Sequence, residues 1–181
     1  MNYNDFILRR IGKYFFNISI DLHNATTNLS NVSYAYFPTE IDFISEALNI
    51  IKSRETEFQN MKFLDAGSGI GNVCGVAMSM GLNAEGIELN PVLFNISKQI
   101  YPEIKFHEMN ILEFNNYSDF DIIFYFIPIA DDELQLKLKM KIENDIRIGG
   151  YIIVRDVETK DDRFIAIDTD NLKNKVWQKI K

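Results

Sequence analysis

The sequence has few of the residues that hold metals or cross-link secreted domains. Cys74 is its only cysteine, and His23 and His107 are its only histidines. One cysteine excludes an internal disulfide, and neither histidine has a second ligand at metal-binding spacing, so we predict no disulfide and no metal site. Cys74 falls among apolar residues, where a packed thiol is expected rather than a reactive one.

Long apolar runs and excess positive charge are also missing. No segment approaches the roughly 18 apolar residues of a membrane-spanning helix, and the first residues do not form the apolar stretch of an export signal. We therefore expect a cytoplasmic protein that does not enter membranes. The 19 Lys and Arg against 26 Asp and Glu give a net charge of −7, which argues against broad nucleic-acid binding.

The length and composition are those of one globular domain. The chain has 181 residues, 46% of them hydrophobic and 25% charged. Residues 1–33 differ from the rest, because a short amphipathic helix with a basic patch is followed by a loop rich in Asn, Ser and Thr. We interpret 1–33 as an N-terminal helix and loop and as a candidate lid, and 34–181 as the functional domain.

The most informative segment reads FLDAGSGIGN, from Phe63 to Asn72. Apolar residues end a short strand, three glycines alternate with other residues, and an apolar run continues as a helix. In this arrangement backbone N–H groups and a helix N-terminus face a polar ligand. Glu88 ends the next predicted strand, where a carboxylate can accept hydrogen bonds from a ribose diol.

The glycine spacing distinguishes this segment from a dinucleotide fingerprint. Gly67, Gly69 and Gly71 follow G-x-G-x-G spacing, and Asn72 stands where the third glycine of G-x-G-x-x-G would fall. Asp65 would repel a pyrophosphate but is compatible with a zwitterionic, positively charged ligand. The alternatives left open are a nicotinamide or flavin domain and a tight turn without a ligand.

The rest of the domain alternates strands and helices. We predict further strands over 83–88, 104–108, 121–127, 151–155, 164–167 and 175–180, and helices over 40–53, 73–80, 90–100 and 131–146. This order predicts a doubly wound α/β sheet, mostly parallel, with an antiparallel C-terminal hairpin at one edge. Thr39 and Asp42 form a capping pattern before the first of these helices, and Asn90 with Pro91 forms another.

Asp65, the three glycines and Glu88 together resemble the class I S-adenosylmethionine-dependent methyltransferases. The resemblance covers 34–181 and implies a Rossmann-like, seven-stranded sheet with S-adenosylmethionine as cofactor. Asn110 departs from the aspartate that is common at its place in the family, although its side-chain carbonyl can accept the same hydrogen bond. The cofactor contacts implied by the resemblance come from Asp65, Ala66, Gly67, Ser68, Gly69, Gly71, Asn72, Glu88, Leu89, Asn110, Ile111 and Phe126.

A finer resemblance is to small, single-domain protein lysine methyltransferases of this fold. It rests on the stretch from Tyr36 to Thr39 before a capped helix, on the compact glycine segment and on the lack of an inserted substrate domain. It implies that Tyr36 and Thr39 lie over the cofactor. For a lysine acceptor we expect a channel of Tyr36, Tyr125 and Phe126, with Asp131 drawing in the ammonium group, although helix capping is the favoured interpretation of Asp131.

The methyl acceptor stays open between a protein lysine and a small molecule. The segment 126–129 reads FIPI, which lacks the Asn/Asp-Pro-Pro-Tyr/Phe motif of enzymes that methylate base amines or glutamine amides. Aligning the reactants can supply about 7–11 kcal/mol, so methyl transfer needs no dedicated acid or base, and no catalytic side chain is assigned. A non-catalytic S-adenosylmethionine-binding module is the alternative from a different class.

Overall fold

The computed structural model of the protein describes residues 39–155, 161–167 and 174–181. The strands in these residues are β1 (Lys62–Ala66), β2 (Asn83–Glu88), β3 (Lys105–Glu108), β4 (Ile122–Tyr125), β5 (Tyr151–Arg155), β6 (Phe164–Ala166) and β7 (Asn174–Lys179). The helices are α1 (Ile41–Lys52), α2 (Asn72–Ser79), α3 (Pro91–Ile100) and α4 (Asp132–Asp145).

The seven strands of the described residues form one sheet in the order β3-β2-β1-β4-β5-β7-β6. Strands β1 to β5 are parallel, and β7 pairs antiparallel with both β5 and β6. The predicted mostly parallel sheet with an antiparallel C-terminal pair is therefore confirmed. The chain moves outward from β1 to β3 and then returns to β4, so the strand order reverses between β1 and β4. Ligands of open α/β sheets bind at such a reversal, beyond the carboxyl ends of the strands.

Two apolar cores cover the two faces of the sheet, because successive strand residues point to opposite sides. Helices α1 and α2 contribute to the first core, which contains Phe63 and Phe124. Helix α4 contributes Leu138 to the second core, which contains Leu64 and Tyr125. Helices on both faces make the sheet doubly wound, as predicted.

The starts of helices α3 and α1 and the end of strand β4 show how local chemistry sets where an element begins or ends. Asn90 caps α3 as predicted, since its Oδ1 accepts a hydrogen bond from the Val92 N–H at 2.9 Å. The predicted capping box at Thr39 is wrong, because α1 begins one residue later with Glu40 as its N-cap and has no side-chain cap. Strand β4 ends two residues earlier than predicted, because Ile127 has a φ of 40°, which is incompatible with an extended strand.

The predicted N-terminal helix and loop, together with Tyr36, lie outside the described residues. The division of the chain at residue 34 therefore stays a prediction. In the part of the chain that the structure describes, no helix is long and apolar enough to cross a membrane.

Candidate functional site

A pocket opens where the strand order reverses, beside the carboxyl ends of β1 and β4. The empty space of about 350 Å³ there includes a part that is open to solvent. All lining residues except Val73 and Phe124 are predicted from the sequence. Alternation along β4 could have identified Phe124, which lies two residues before Phe126. The lining residues are Thr39, Asp65, Gly67, Ser68, Asn72, Val73, Phe124 and Phe126.

Several backbone N–H groups of the glycine loop already have acceptors in the protein. The N–H groups of Gly67 and Ser68 donate to the Ile87 carbonyl at 3.0 and 2.8 Å. The Gly69 N–H donates to Glu88 Oε2 at 2.8 Å. These bonds fold the loop onto the end of β2. For these three donors the expectation that bare loop N–H groups face the ligand is corrected, since they hold the loop in place.

Two different contacts require glycine in this loop, and both glycines also have positive φ, which favours the residue. Gly67 has a φ of 99°, and a Cβ there would lie 2.6 Å from Pro128 Cβ. Gly71 has a φ of 86°, and a Cβ there would lie 2.7 Å from the Phe106 ring. Gly67 thus lets the loop contact the turn after β4, whereas Gly71 makes room for an aromatic ring of β3.

Glu88 ends β2 as predicted and anchors the glycine loop. Its buried carboxylate accepts hydrogen bonds from the Gly69 N–H at 2.8 Å and from the Asn90 N–H at 2.7 Å. Burial raises the pKa of Glu88, and the backbone hydrogen bonds partly oppose that rise. Each carboxylate oxygen keeps lone-pair capacity that a diol could use. Leu89 follows with 47% of its surface exposed, so an apolar side chain stands next to this carboxylate.

Asp65 is a second buried carboxyl group, and it lies at the carboxyl end of β1. The Cys74 thiol donates to it across 3.9 Å between Sγ and Oδ2. Burial raises the pKa of Asp65 well above its ordinary value, and the negative charge of Glu88 raises it further. Cys74 is a buried, packed thiol as predicted, and burial raises its pKa too. A cationic ligand would stabilise the charged form of Asp65.

Three other implied cofactor contacts, at Ala66, Asn110 and Ile111, do not line the pocket. Asn110 and Ile111 follow β3, and Asn110 Oδ1 already accepts a hydrogen bond from the Leu112 N–H at 3.0 Å. Ala66 is buried in the second core, on the face of the sheet opposite Phe124, so its side chain points away from the pocket that Phe124 lines. Cofactor contacts by these residues stay predictions.

The predicted acceptor channel is not brought together in the described residues. Tyr125 belongs to the second core and is 2% exposed, because it points to the face opposite Phe124. Its assignment to the channel is therefore corrected to a core position. Phe126 does line the pocket, and Asp131 caps α4 by accepting a hydrogen bond from the Leu134 N–H at 2.9 Å.

The chemistry of the site fits S-adenosylmethionine better than a pyrophosphate. No lysine or arginine lines the pocket in the described part of the chain. The N–H groups of Gly67, Ser68 and Gly69 are engaged within the protein, and Asp65 would repel a phosphate. The methionine end of S-adenosylmethionine instead carries an ammonium and a sulfonium charge, which carboxylates attract. Within the described residues no cluster of His, Cys, Asp and Glu could hold a metal ion.

Comparisons with known proteins agree with this geometry. A family model described as a methyltransferase domain matches residues 57–181. No curated protein matches the sequence.

Several solved structures of similar fold are methyltransferases. An RNA methyltransferase from Salinibacter ruber, in complex with S-adenosylhomocysteine, has 18% identity and a TM-score of 0.59 over 77% of this chain and 90% of its own. A TehB-like S-adenosylmethionine-dependent methyltransferase from Corynebacterium glutamicum has 16% identity and a TM-score of 0.54 over 94% and 98%. An S-adenosylmethionine-bound amino pentose methyltransferase from Micromonospora echinaspora has 14% identity and a TM-score of 0.52 over 68% and 53%. At these identities the likeness establishes the fold.

Proposed function

The chain belongs to the methyltransferase-domain family, and we propose that it transfers a methyl group from S-adenosylmethionine to an amine, with a protein lysine as the first candidate. It is a class I enzyme that uses S-adenosylmethionine as its cofactor. The amine proposal rests above all on the acidic surface at the start of α4, where Asp131 and Asp132 are exposed carboxylates that the cofactor does not need. Such a site, on a chain of net charge −7, attracts cationic molecules.

We place the cofactor along the carboxyl ends of β1, β2 and β3. Glu88 would accept hydrogen bonds from the ribose hydroxyls, and Asn110 and Ile111 would contact the adenine ring. Asp65 would stand beside the ammonium of the methionine end, with Phe126 next to it in the pocket wall. The two carboxyl groups then lie near different parts of one elongated ligand, which suits the extent of the cofactor.

The cofactor supplies a methyl group that a sulfonium has already activated, so the protein mainly has to align the acceptor. Alignment alone can contribute about 7–11 kcal/mol. An amine must be neutral to attack, and an apolar surrounding lowers its pKa. Val73, Phe124 and Phe126 provide apolar lining. Asp131 and Asp132, both exposed at the start of α4, would attract an incoming ammonium group.

The alternative acceptor is a small-molecule amine of the kind named for the Micromonospora enzyme. RNA is the acceptor class named for the Salinibacter enzyme. The net charge of −7 opposes binding to a polyanion, so we do not favour RNA here.

A labelled-methyl assay separates these acceptors. The purified protein is incubated with methyl-labelled S-adenosylmethionine and a cell lysate, either untreated or with its lysine amines blocked by acetylation. We expect label in the protein fraction of the untreated lysate only. Label confined to small molecules would support the alternative acceptor, and label removed by ribonuclease would contradict the amine proposal.

Cofactor binding is tested separately by calorimetric titration with S-adenosylhomocysteine and with NAD. We expect the first to bind and the second not to bind. Glu88→Ala serves as the binding-defective variant. Ser79→Ala serves as the matched surface control, since Ser79 is exposed and its hydroxyl donates to the Val76 carbonyl in α2.

A further inference from the structure

Helix α4 carries two large apolar side chains on the side that faces solvent. Leu136 is 55% exposed and Met140 is 54% exposed, whereas Leu138 between them is buried in the second core. At 3.6 residues per turn, two positions correspond to about 200° around the helix, so Leu136 and Met140 point almost directly away from the sheet. Leu138 and Ile142 already supply the buried apolar stripe of α4, so the fold gains little from the two outer residues.

Helix α4 begins beside the pocket. Its first residue, Asp132, follows shortly after Phe126, which lines the pocket. The short link between them is held in place, because the Ile129 N–H donates to Gln135 Oε1 at 3.2 Å and Asp131 caps the helix. The start of α4 therefore has a fixed position near the pocket, and the Asp132 side chain there is exposed.

Three exposed residues of α4 form one continuous surface that starts at this end of the helix. Asp132, Leu136 and Met140 follow one another at intervals of four residues, which places them along one side of the helix. We call these three residues the outer face of α4. At 1.5 Å per residue, Leu136 lies about 6 Å and Met140 about 12 Å along the axis from Asp132. The outer face thus has a carboxylate near the pocket and apolar surface farther away.

We propose that the outer face of α4 docks the protein whose lysine is methylated. This inference rests on the proposed function and adds a binding surface for the polypeptide around the reacting amine. Asp132 complements the charge of the lysine, and Leu136 with Met140 complements a large apolar side chain of the same acceptor. An extended chain rises about 3.3 Å per residue, so an apolar residue about two to four positions from the lysine can reach Leu136 or Met140.

The charges of α4 disfavour a second copy of this chain on the same surface. Antiparallel packing through Leu136 and Met140 would bring the acidic start of one helix, at Asp132, towards the acidic end of the other, at Glu143 and Asp145. Parallel packing would bring Asp132 next to its own counterpart. Like charges repel in both arrangements, whereas a cationic acceptor is attracted.

The size of the outer face suits a transient enzyme–substrate contact. Two exposed apolar side chains bury much less area than a permanent interface needs. Met140 is also adaptable, because its unbranched thioether can pack against apolar side chains of different shapes. A small-molecule amine in the pocket would not extend to Met140, so the outer face distinguishes a protein acceptor from the alternative acceptor.

Leu136→Gln and Met140→Gln test the proposal in the labelled-methyl assay with untreated lysate. Glutamine is neutral and a good helix former, so the melting temperature should stay close to that of the wild type and S-adenosylhomocysteine should bind within twofold of it. Each substitution should lower the initial rate of protein labelling at least about fivefold, and the double variant should lower it further.

Ile165→Gln is the matched control. Ile165 is 41% exposed in β6, and it points to the face of the sheet opposite α4, since its neighbour Phe164 belongs to the second core. The control loses a similarly exposed apolar side chain but should label protein at the wild-type rate.

Mass spectrometry of the proteins labelled by the wild type tests the acceptor side of the contact. Labelled lysines should have a large apolar residue two to four positions away more often than unlabelled lysines of the same proteins. Equal frequencies would contradict the apolar contact and overturn the proposal.

Two further results would overturn docking on α4 and leave the proposed function standing. Protein labelling within twofold of the wild type by the double variant would exclude the outer face from acceptor binding. A similar loss of labelling in Ile165→Gln, or weaker binding of S-adenosylhomocysteine by the α4 variants, would assign the defect to the fold. Absence of protein labelling by the wild type would instead overturn the lysine acceptor of the proposed function together with this inference.

Discussion

Replacing Glu88 with glutamine should destabilise the protein even without a ligand, because this side chain is part of the loop structure. The carboxylate accepts hydrogen bonds from the Gly69 and Asn90 N–H groups. A glutamine oxygen can keep one of them as a neutral bond, and the amide NH₂ then faces the other N–H group. Hydrogen bonds to charged groups contribute about 1.5–3 kcal/mol each, and a buried unpaired donor costs about 1–3 kcal/mol.

The net loss in free energy of unfolding should be smaller than the sum of these contributions. Burial raises the pKa of Glu88, which shows that the fold penalises its charge, and glutamine removes that penalty. We therefore expect a loss of about 2 kcal/mol, which for a domain of this size corresponds to a melting temperature about 4–8 °C lower. Affinity for S-adenosylhomocysteine should fall as well, since the loop and the ribose contact are both altered.

Urea unfolding of the ligand-free protein measures this effect, and Glu108→Gln is the matched control. Glu108 stands opposite Glu88 in the β2–β3 pairing but is exposed at its strand end, so the same substitution there should change the free energy of unfolding by less than about 0.5 kcal/mol. Equal stabilities of the Glu88 variant and the wild type would refute the idea that Glu88 supports the loop.

Three further predictions concern the buried groups around the sheet. Because burial raises the pKa of Asp65 above the ordinary value of 3.8, its stabilising neutral form is lost as pH rises. Asp65→Asn should therefore unfold at a higher urea concentration than the wild type at about pH 8, and the difference between the two urea midpoints should be smaller at about pH 5. The variant should also bind S-adenosylhomocysteine more weakly. Lys179→Met should lower the free energy of unfolding by about 3 kcal/mol, because the buried Lys179 ammonium donates to three carbonyls at the end of α4. The matched substitution at the exposed Lys181, Lys181→Met, should lower it by less than about 1 kcal/mol. Similar losses for the two variants in urea unfolding would contradict this prediction. Gly71→Ala should lower the melting temperature, because its Cβ would meet the Phe106 ring; a wild-type melting curve would show that the ring moves aside.

The fold was predictable because its signals are local and repeat along the chain. Alternating strands and helices, the glycine segment and the Asn90 cap each depend on neighbouring residues, and the structure has them at the predicted places. The end of β4 was not predictable in the same way. The positive φ of Ile127 stops the strand, and nothing in an apolar run such as 121–127 indicates which residue will turn.

The sequence predicted which residues form the site better than it predicted the hydrogen bonds that those residues make. The motif identified Asp65, Gly67 and Ser68 as neighbours of one ligand, and the pocket brings them together. The sequence could not show that the loop N–H groups donate to Ile87 and Glu88, because those bonds depend on how the loop folds across β2. Tyr125 was misplaced for a different reason, because alternation along β4 already puts it on the face opposite Phe124, away from the pocket.

The aromatic packing beneath the glycine loop has a consequence for how this family could change over evolution. The Phe106 ring occupies the space where Gly71 and Gly86 would each carry a Cβ, and Tyr101 does the same for Gly75. These glycines are therefore retained by the need to fold, whether or not methyl transfer continues. A descendant that had lost the reaction would keep much of its glycine pattern, and the first residues free to drift would be Asp65 and Ser68. In such a lineage the glycine pattern would show common descent but not activity, whereas substitutions at Asp65 and Ser68 would indicate that the reaction had been lost.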